Sequence, residues 1–151
     1  MKKIFIYYSL SGNGDTIANY LSKKEIDIRK VEVINKDKLS NNMFLRIMTG
    51  GFKALIGYKD RLVNFNNNID EYDEIIMGSP IWNSRLSSPI NSVLDKLNLK
   101  GKKVIFILYS GSGKSIKATE KISKEYPNAK IIDIREPLKN SKEIDKLKGV
   151  L

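Results

Sequence analysis

Apolar residues along this chain follow two rhythms that alternate. Continuous runs such as Ile4-Phe5-Ile6-Tyr7-Tyr8 and Val104-Ile105-Phe106-Ile107-Leu108, with the shorter Ile75-Ile76-Met77, read as buried strands. Between them apolar positions recur at helical spacing, as in Ile17, Ala18 and Leu21, or Ile90, Val93, Leu94 and Leu97. The pattern predicts strands at Lys3–Tyr8, Lys30–Ile34, Glu74–Met77, Val104–Leu108 and Ala129–Ile134. It predicts helices from about Gly14 to Lys24, from Ser87-Ser88-Pro89 onward, from about Lys114 to Lys124, and a short one near Ser141–Leu147. In the second of these, serine serves as cap and proline takes the first position. The third is expected to bury Ile116, Ala118 and Ile122. A further apolar stripe holds Met43, Phe44, Ile47, Met48, Phe52, Leu55 and Ile56. Gly50-Gly51 should kink it and Gly57 end it. Asn35–Asn42 and Asn64–Tyr72 read as polar loops.

Strand and helix alternate from end to end, which is the signature of a parallel sheet with helices on both faces. The first, third and fourth strands are the most apolar and suit the centre. Glu32 and Asp133 interrupt the second and fifth, which suits edges. The predicted order is therefore 2-1-3-4-5. Its switch point lies between strands one and three, and ligands bind at the carboxyl ends of strands around such a point. The loops there are Ser9–Asp15, Ser79–Arg85 and Ser110–Gly113.

The first loop, Ser9-Leu10-Ser11-Gly12-Asn13-Gly14-Asp15-Thr16, is crowded with hydroxyls, an amide and two glycines, and it opens a helix. Hydroxyls can donate to an oxyanion, glycines admit a close approach, and the first helical amides point into the loop. This composition describes a phosphate cradle built from neutral donors. It is not a dinucleotide fingerprint, because Ile17 stands where a third glycine is needed. Gly111-Ser112-Gly113-Lys114-Ser115 ends like a nucleotide-binding P-loop, but Leu108 occupies the place of its first glycine. Asp15 reads as a first-turn acid favoured by the helix dipole. Trp82, the only tryptophan, follows Pro80 in the second loop, where an exposed aromatic offers a stacking platform for a planar ring. Acidic phospho-receiver chemistry is excluded, because the ends of strands one and three carry Ser9 and Ser79.

Composition narrows the chemistry. The chain has neither cysteine nor histidine, so thiol nucleophiles, histidine triads and Cys or His metal sites are excluded. A cofactor is then the expected source of any reaction. At 151 residues a single domain, 1–151, is expected. The absence of cysteine is compatible with a cytoplasmic location, and no segment is apolar for long enough to span a membrane. The net charge of +10 favours anionic partners. Aromatics are not interleaved with a basic cluster, so nucleic acid ranks last among them.

With these loops in view, the chain resembles a short-chain flavodoxin-like domain. The family's phosphate loop is matched by Ser9, Ser11, Gly12, Asn13, Ile17 and Ala18, with Gly14 where a threonine is usual. The run Tyr72-Asp73-Glu74-Ile75-Ile76-Met77-Gly78-Ser79-Pro80-Ile81-Trp82 is similar to its second flavin segment, and Gly101-Lys102-Lys103-Val104 leading into Ser110–Gly113 to its third. The resemblance implies a flavodoxin-like three-layer α/β/α sandwich with a five-stranded parallel sheet, and FMN as cofactor. It implies that Ser9, Ser11, Gly12, Asn13 and Gly14 hold the phosphate. Pro80, Ile81, Trp82 and Asn83 would line the ring, and Ser110, Gly111, Ser112 and Gly113 would offer backbone contacts. No catalytic acid or base and no metal is expected. Electron transfer with redox partner proteins is the implied role, with an FMN-dependent NAD(P)H or quinone-type oxidoreductase as the alternative. Electron-carrier flavodoxins are usually acidic, whereas this chain is basic, so its partner is expected to be acidic.

Overall fold

In a computed structural model the chain is described over residues 1–34 and 59–149. The predicted loop Asn35–Asn42, the apolar stripe with its Gly50-Gly51 kink, and the stop at Gly57 lie outside these residues. The elements are β1 (Lys3–Tyr7), α1 (Asn13–Ser22), β2 (Asp27–Lys30), β3 (Glu74–Trp82), β4 (Arg85–Leu86), α2 (Ser88–Leu94), β5 (Lys103–Ser110), α3 (Ile116–Glu125), β6 (Lys130–Arg135) and a 3-10 helix (Ser141–Leu147).

The sheet runs β2-β1-β3-β5-β6, every neighbour parallel, with the two-residue β4 folded back antiparallel on β3. Residues alternate between its faces, as the strand pleat requires. Ile4, Ile6, Ile75, Met77, Phe106 and Leu108 face one way, toward Ile90 and Val93 of α2 and Ala118 and Ile122 of α3. Phe5, Tyr7, Ile76, Ile105, Ile107 and Tyr109 face the other, toward Ile17, Ala18 and Leu21 of α1 and Leu147 of the 3-10 helix. The result is three layers, with the sheet between two apolar cores.

The second strand lies earlier than the pattern predicts. Val31 and Val33 are buried, which gives the alternation seen in the sequence. Yet β1 ends at Tyr7, whose ladder partner is Lys30, so the parallel pairing stops there. Beyond it, Val33 bridges Leu62 in the antiparallel sense, and the Ile34 N–H donates to the Arg61 carbonyl at 2.7 Å. In α3, Ile116 is 64% exposed rather than buried, since it lies off the face carried by Ala118 and Ile122. At the end of the sheet away from the helix-entry loops, Glu74 is fully buried, held between Lys3 (3.2 Å) and Lys103 by ion pairs. The three residues occupy adjacent positions across the β1-β3-β5 ladder.

Candidate functional site

The three loops singled out in the sequence come together at the carboxyl ends of β1, β3 and β5. β1 hands the chain to the first loop through Tyr8, whose N–H donates to the Gly78 carbonyl of β3 at 3.2 Å. Gly12 then takes φ +92°, a left-handed turn that suits glycine, and α1 begins at Asn13. Within the loop, Ser9 Oγ accepts from the Asp15 N–H (3.4 Å) and Ser11 Oγ accepts from Asn13 Nδ2 (3.2 Å). The Ser11 hydroxyl thus spends a lone pair on the loop and keeps its proton for an outside acceptor, whereas Ser9 lies against Asp15 with both its lone pair and its proton. Thr16 Oγ1 donates to the Gly12 carbonyl at 3.0 Å, so it closes the loop from below. Among the described residues the backbone N–H groups of Ser11, Gly12, Asn13 and Gly14 have no protein acceptor. A run of free amides at a helix start, flanked by two hydroxyls, is an oxyanion site in chemical terms.

Three features of this corner were not visible in the sequence. Lys30, at the end of β2, reaches Asp15 at 2.6 Å, and Tyr7 Oη donates to the same carboxylate at 2.8 Å. Burial alone would raise the Asp15 pKa, but the bonds from Lys30, Tyr7 and Ser9 outweigh it and hold the carboxyl below its ordinary value. Asp15 is therefore more than a dipole-favoured acid, since it neutralises the nearest ammonium. The segment after β6 also arrives here. The Leu138 N–H donates to Asn13 Oδ1 at 3.1 Å, which fixes the Asn13 amide toward Ser11. Finally, Tyr109 of β5 lies buried beneath the loop, with its hydroxyl donating to the Tyr8 carbonyl.

The second loop differs from its predicted form. The strand does not stop at Met77 but continues through Pro80 and Ile81 to Trp82, and turns back at Asn83 and Ser84 into β4. Both turn residues have positive φ, 48° and 62°, which matches the twist of a tight hairpin. Proline is tolerated this far along β3 because Pro80 is the last residue paired to β5. The hairpin is pinned at both ends. At its base, the Ser87 N–H donates to Ser79 Oγ at 3.1 Å, so Ser87 braces the strand instead of capping α2 with its side chain. At its tip, Ser84 accepts from α3, through Oγ from the Lys117 N–H (3.2 Å) and through its carbonyl from the Ala118 N–H (2.8 Å). Trp82, half-buried, stands on this platform and meets Tyr8 edge to face with ring centroids 5.9 Å apart. Asn83 is exposed, and its carbonyl accepts from Arg85 at 3.2 Å.

The third loop begins at Ser110, the last residue of β5. Ser110 Oγ accepts from the Gly113 N–H at 2.9 Å, and Gly113 takes φ +69°. Arg135 Nε donates to the Gly111 carbonyl at 3.1 Å, which ties the loop to the end of β6. Among the described residues the Gly111 and Ser112 N–H groups have no protein acceptor, and both residues are exposed. Ser115 is buried against Asp133 and Thr119, so its hydroxyl is already engaged. The fold thus brings all the predicted site residues to one end of the sheet.

The described residues contain no helix long and apolar enough to cross a membrane, and no group of acids that could hold a metal ion. No curated protein sequence matches the chain. Among solved structures it is similar to a flavoprotein in complex with FMN from Lactobacillus acidophilus, with 20% identity, coverage of 93% of this chain and 97% of that one, and a TM-score of 0.62. It is similar to a candidate flavoprotein from Bacteroides uniformis at 19% identity, 86% and 88% coverage and a TM-score of 0.64. An oxidised flavodoxin from Bacillus cereus gives 16% identity, 97% and 91% coverage and a TM-score of 0.55. The sequence model of the flavodoxin family matches residues 58–148, from the approach to β3 through the hairpin and third loop to the last helix. This chain belongs to the flavodoxin family.

Proposed function

We propose that the chain binds FMN and works in electron transfer. The observation that carries this reading is the oxyanion site at Ser9–Gly14, with free amides and the Ser11 hydroxyl, set beside the pinned Trp82 hairpin. Ser9, Ser11, Gly12, Asn13 and Gly14 hold the phosphate. Pro80, Ile81, Trp82 and Asn83 border the ring, and the Gly111 and Ser112 amides face its polar edge. When bound, FMN supplies the redox chemistry, taking up and releasing electrons at its ring. The chain's residues orient it, and Trp82 with Tyr8 excludes water from one side. The guanidinium groups of Arg85 on the hairpin and Arg135 at the third loop give the mouth a positive rim. That rim favours docking of an acidic redox protein and steers its approach.

A second reading, an FMN-dependent NAD(P)H or quinone-type oxidoreductase, draws on the third loop. Its Ser-Gly-Ser-Gly composition leaves the ring face there bounded by small residues, with room for a substrate. Mixing the FMN-loaded protein anaerobically with NADPH, with and without a quinone panel, separates the two. A carrier leaves NADPH unconsumed until a flavin reductase is added, and then passes electrons to ferricyanide. Steady NADPH consumption with a quinone, and no reductase, would establish the enzyme instead.

A further inference from the structure

We propose that Tyr109 is a positioning residue for the phosphate loop, interlocked with Gly14 so that neither can change alone. For its ligand the inference rests on the FMN reading above; its geometry does not depend on that reading.

Tyr109 is only 2% exposed and pairs with Pro80 on β3 and Ile134 on β6. Its hydroxyl crosses to the Tyr8 carbonyl, immediately before Ser9. The same Tyr8 is held through its N–H by Gly78. The peptide that launches the loop is therefore fixed by both β3 and β5, which aims Ser9 Oγ at the Asp15 N–H. Room for the phenol comes from Gly14. A Cβ there would lie 2.7 Å from Tyr109 Oη, 2.9 Å from Tyr7 Cδ2 and 3.0 Å from Ser9 Cβ. All are well inside carbon contact distance, and Tyr109 cannot swing away, being enclosed by the core of that face. The missing threonine in the loop and the tyrosine under it are thus one feature. The loop gives up a side chain at position 14, and a hydroxyl from across the sheet fills the space and braces the backbone. Burial also pushes the Tyr109 pKa up, so the group stays neutral, and a neutral donor is compatible with an anion above it.

The test uses the full chain, with FMN and riboflavin as probes. Tyr109→Phe keeps the ring and removes the brace, so the FMN Kd should rise about fivefold, the effect of one buried hydrogen bond. Riboflavin, which lacks the phosphate, should bind unchanged. Gly14→Ala should weaken FMN more than tenfold, about the effect of forced overpacking. In the Tyr109→Phe background the same Gly14→Ala change should be milder, because the nearest colliding atom is gone. Additive effects, or equal losses for FMN and riboflavin, would overturn the proposal. If the unaltered chain binds no FMN, the FMN reading fails by itself. The urea midpoints of the four proteins then decide the interlock: non-additive midpoints support it and additive ones overturn it.

Discussion

Gly78, at the middle of β3, offers the sharpest test of how this fold carries its site. A Cβ there would stand 2.5 Å from Phe5 Cζ, 2.6 Å from Phe5 Cε2 and 2.7 Å from Tyr7 Cβ. The Phe5 ring must then retreat by about 1 Å to reach ordinary contact. It is fully buried and stacked on Tyr7 at 4.9 Å with the planes 3° apart, and Tyr7 is tied to Asp15. The displacement has no free direction. Overpacking of this kind costs about 1–3 kcal/mol, and the enclosed ring puts Gly78→Ala at about 3 kcal/mol. Replacing glycine in a strand restores about 0.5–1 kcal/mol of chain entropy, so the net loss should be about 2 kcal/mol. For a chain of this size that is a fall in Tm of about 4–8 °C. Urea unfolding should show a lower midpoint at an unchanged slope, which marks a stability effect and not a change in the unfolded chain. Gly111→Ala is the control: a Cβ there meets nothing within 4 Å, and it should shift stability by less than about 0.5 kcal/mol. Phe5→Leu should relieve part of the Gly78→Ala loss by vacating the ring's far edge. A Gly78→Ala protein as stable as the parent, or one that Phe5→Leu worsens additively, would refute the reasoning.

Asp15 has a depressed pKa in the fold, so it adds stability above its unfolded pKa and loses it as the pH falls through the folded value. Asp15→Asn should flatten the acid limb of a stability–pH curve below about pH 4, by no more than about 0.5 kcal/mol because the pair is half exposed. An unchanged limb would contradict the assignment. The buried Glu74 depends on both flanking ammonium groups, and Lys103→Met should destabilise by about 1–2 kcal/mol in urea unfolding. No loss would mean that Lys3 alone suffices. The net charge of +10 should stabilise an anionic reduced flavin. The loaded protein is expected to show a less negative reduction potential than an acidic flavodoxin in the same buffer, with a gap that narrows as salt rises. An equal or more negative potential would refute it.

Much of this was legible in the chain because the signals were local. The apolar runs at β1, β3 and β5 marked the sheet centre, and the small-residue stretches after them marked the ends where the loops meet. Other features depended on pairing that no local pattern reports. β2 was displaced because Val31 and Val33 bury their side chains after the ladder with β1 has ended. The hairpin has no local signature in the sequence, because Asn83-Ser84 holds two positive φ values without a glycine to announce them. Lys30 reached Asp15 only through the β1-β2 register, and the Tyr109–Tyr8 bond joins residues 101 apart in sequence.

The central claim is that the loop Ser9–Gly14 recognises the phosphate of FMN. The direct measurement is a fluorescence titration of the flavin-free chain with FMN and with riboflavin, in parallel and at fixed salt. The account predicts that FMN binds at least about tenfold more tightly, the worth of one to two charge-assisted hydrogen bonds from the loop. It also predicts that Ser9→Ala and Ser11→Ala erode that margin while leaving riboflavin untouched. Equal affinity for the two flavins, or binding of neither, would contradict it.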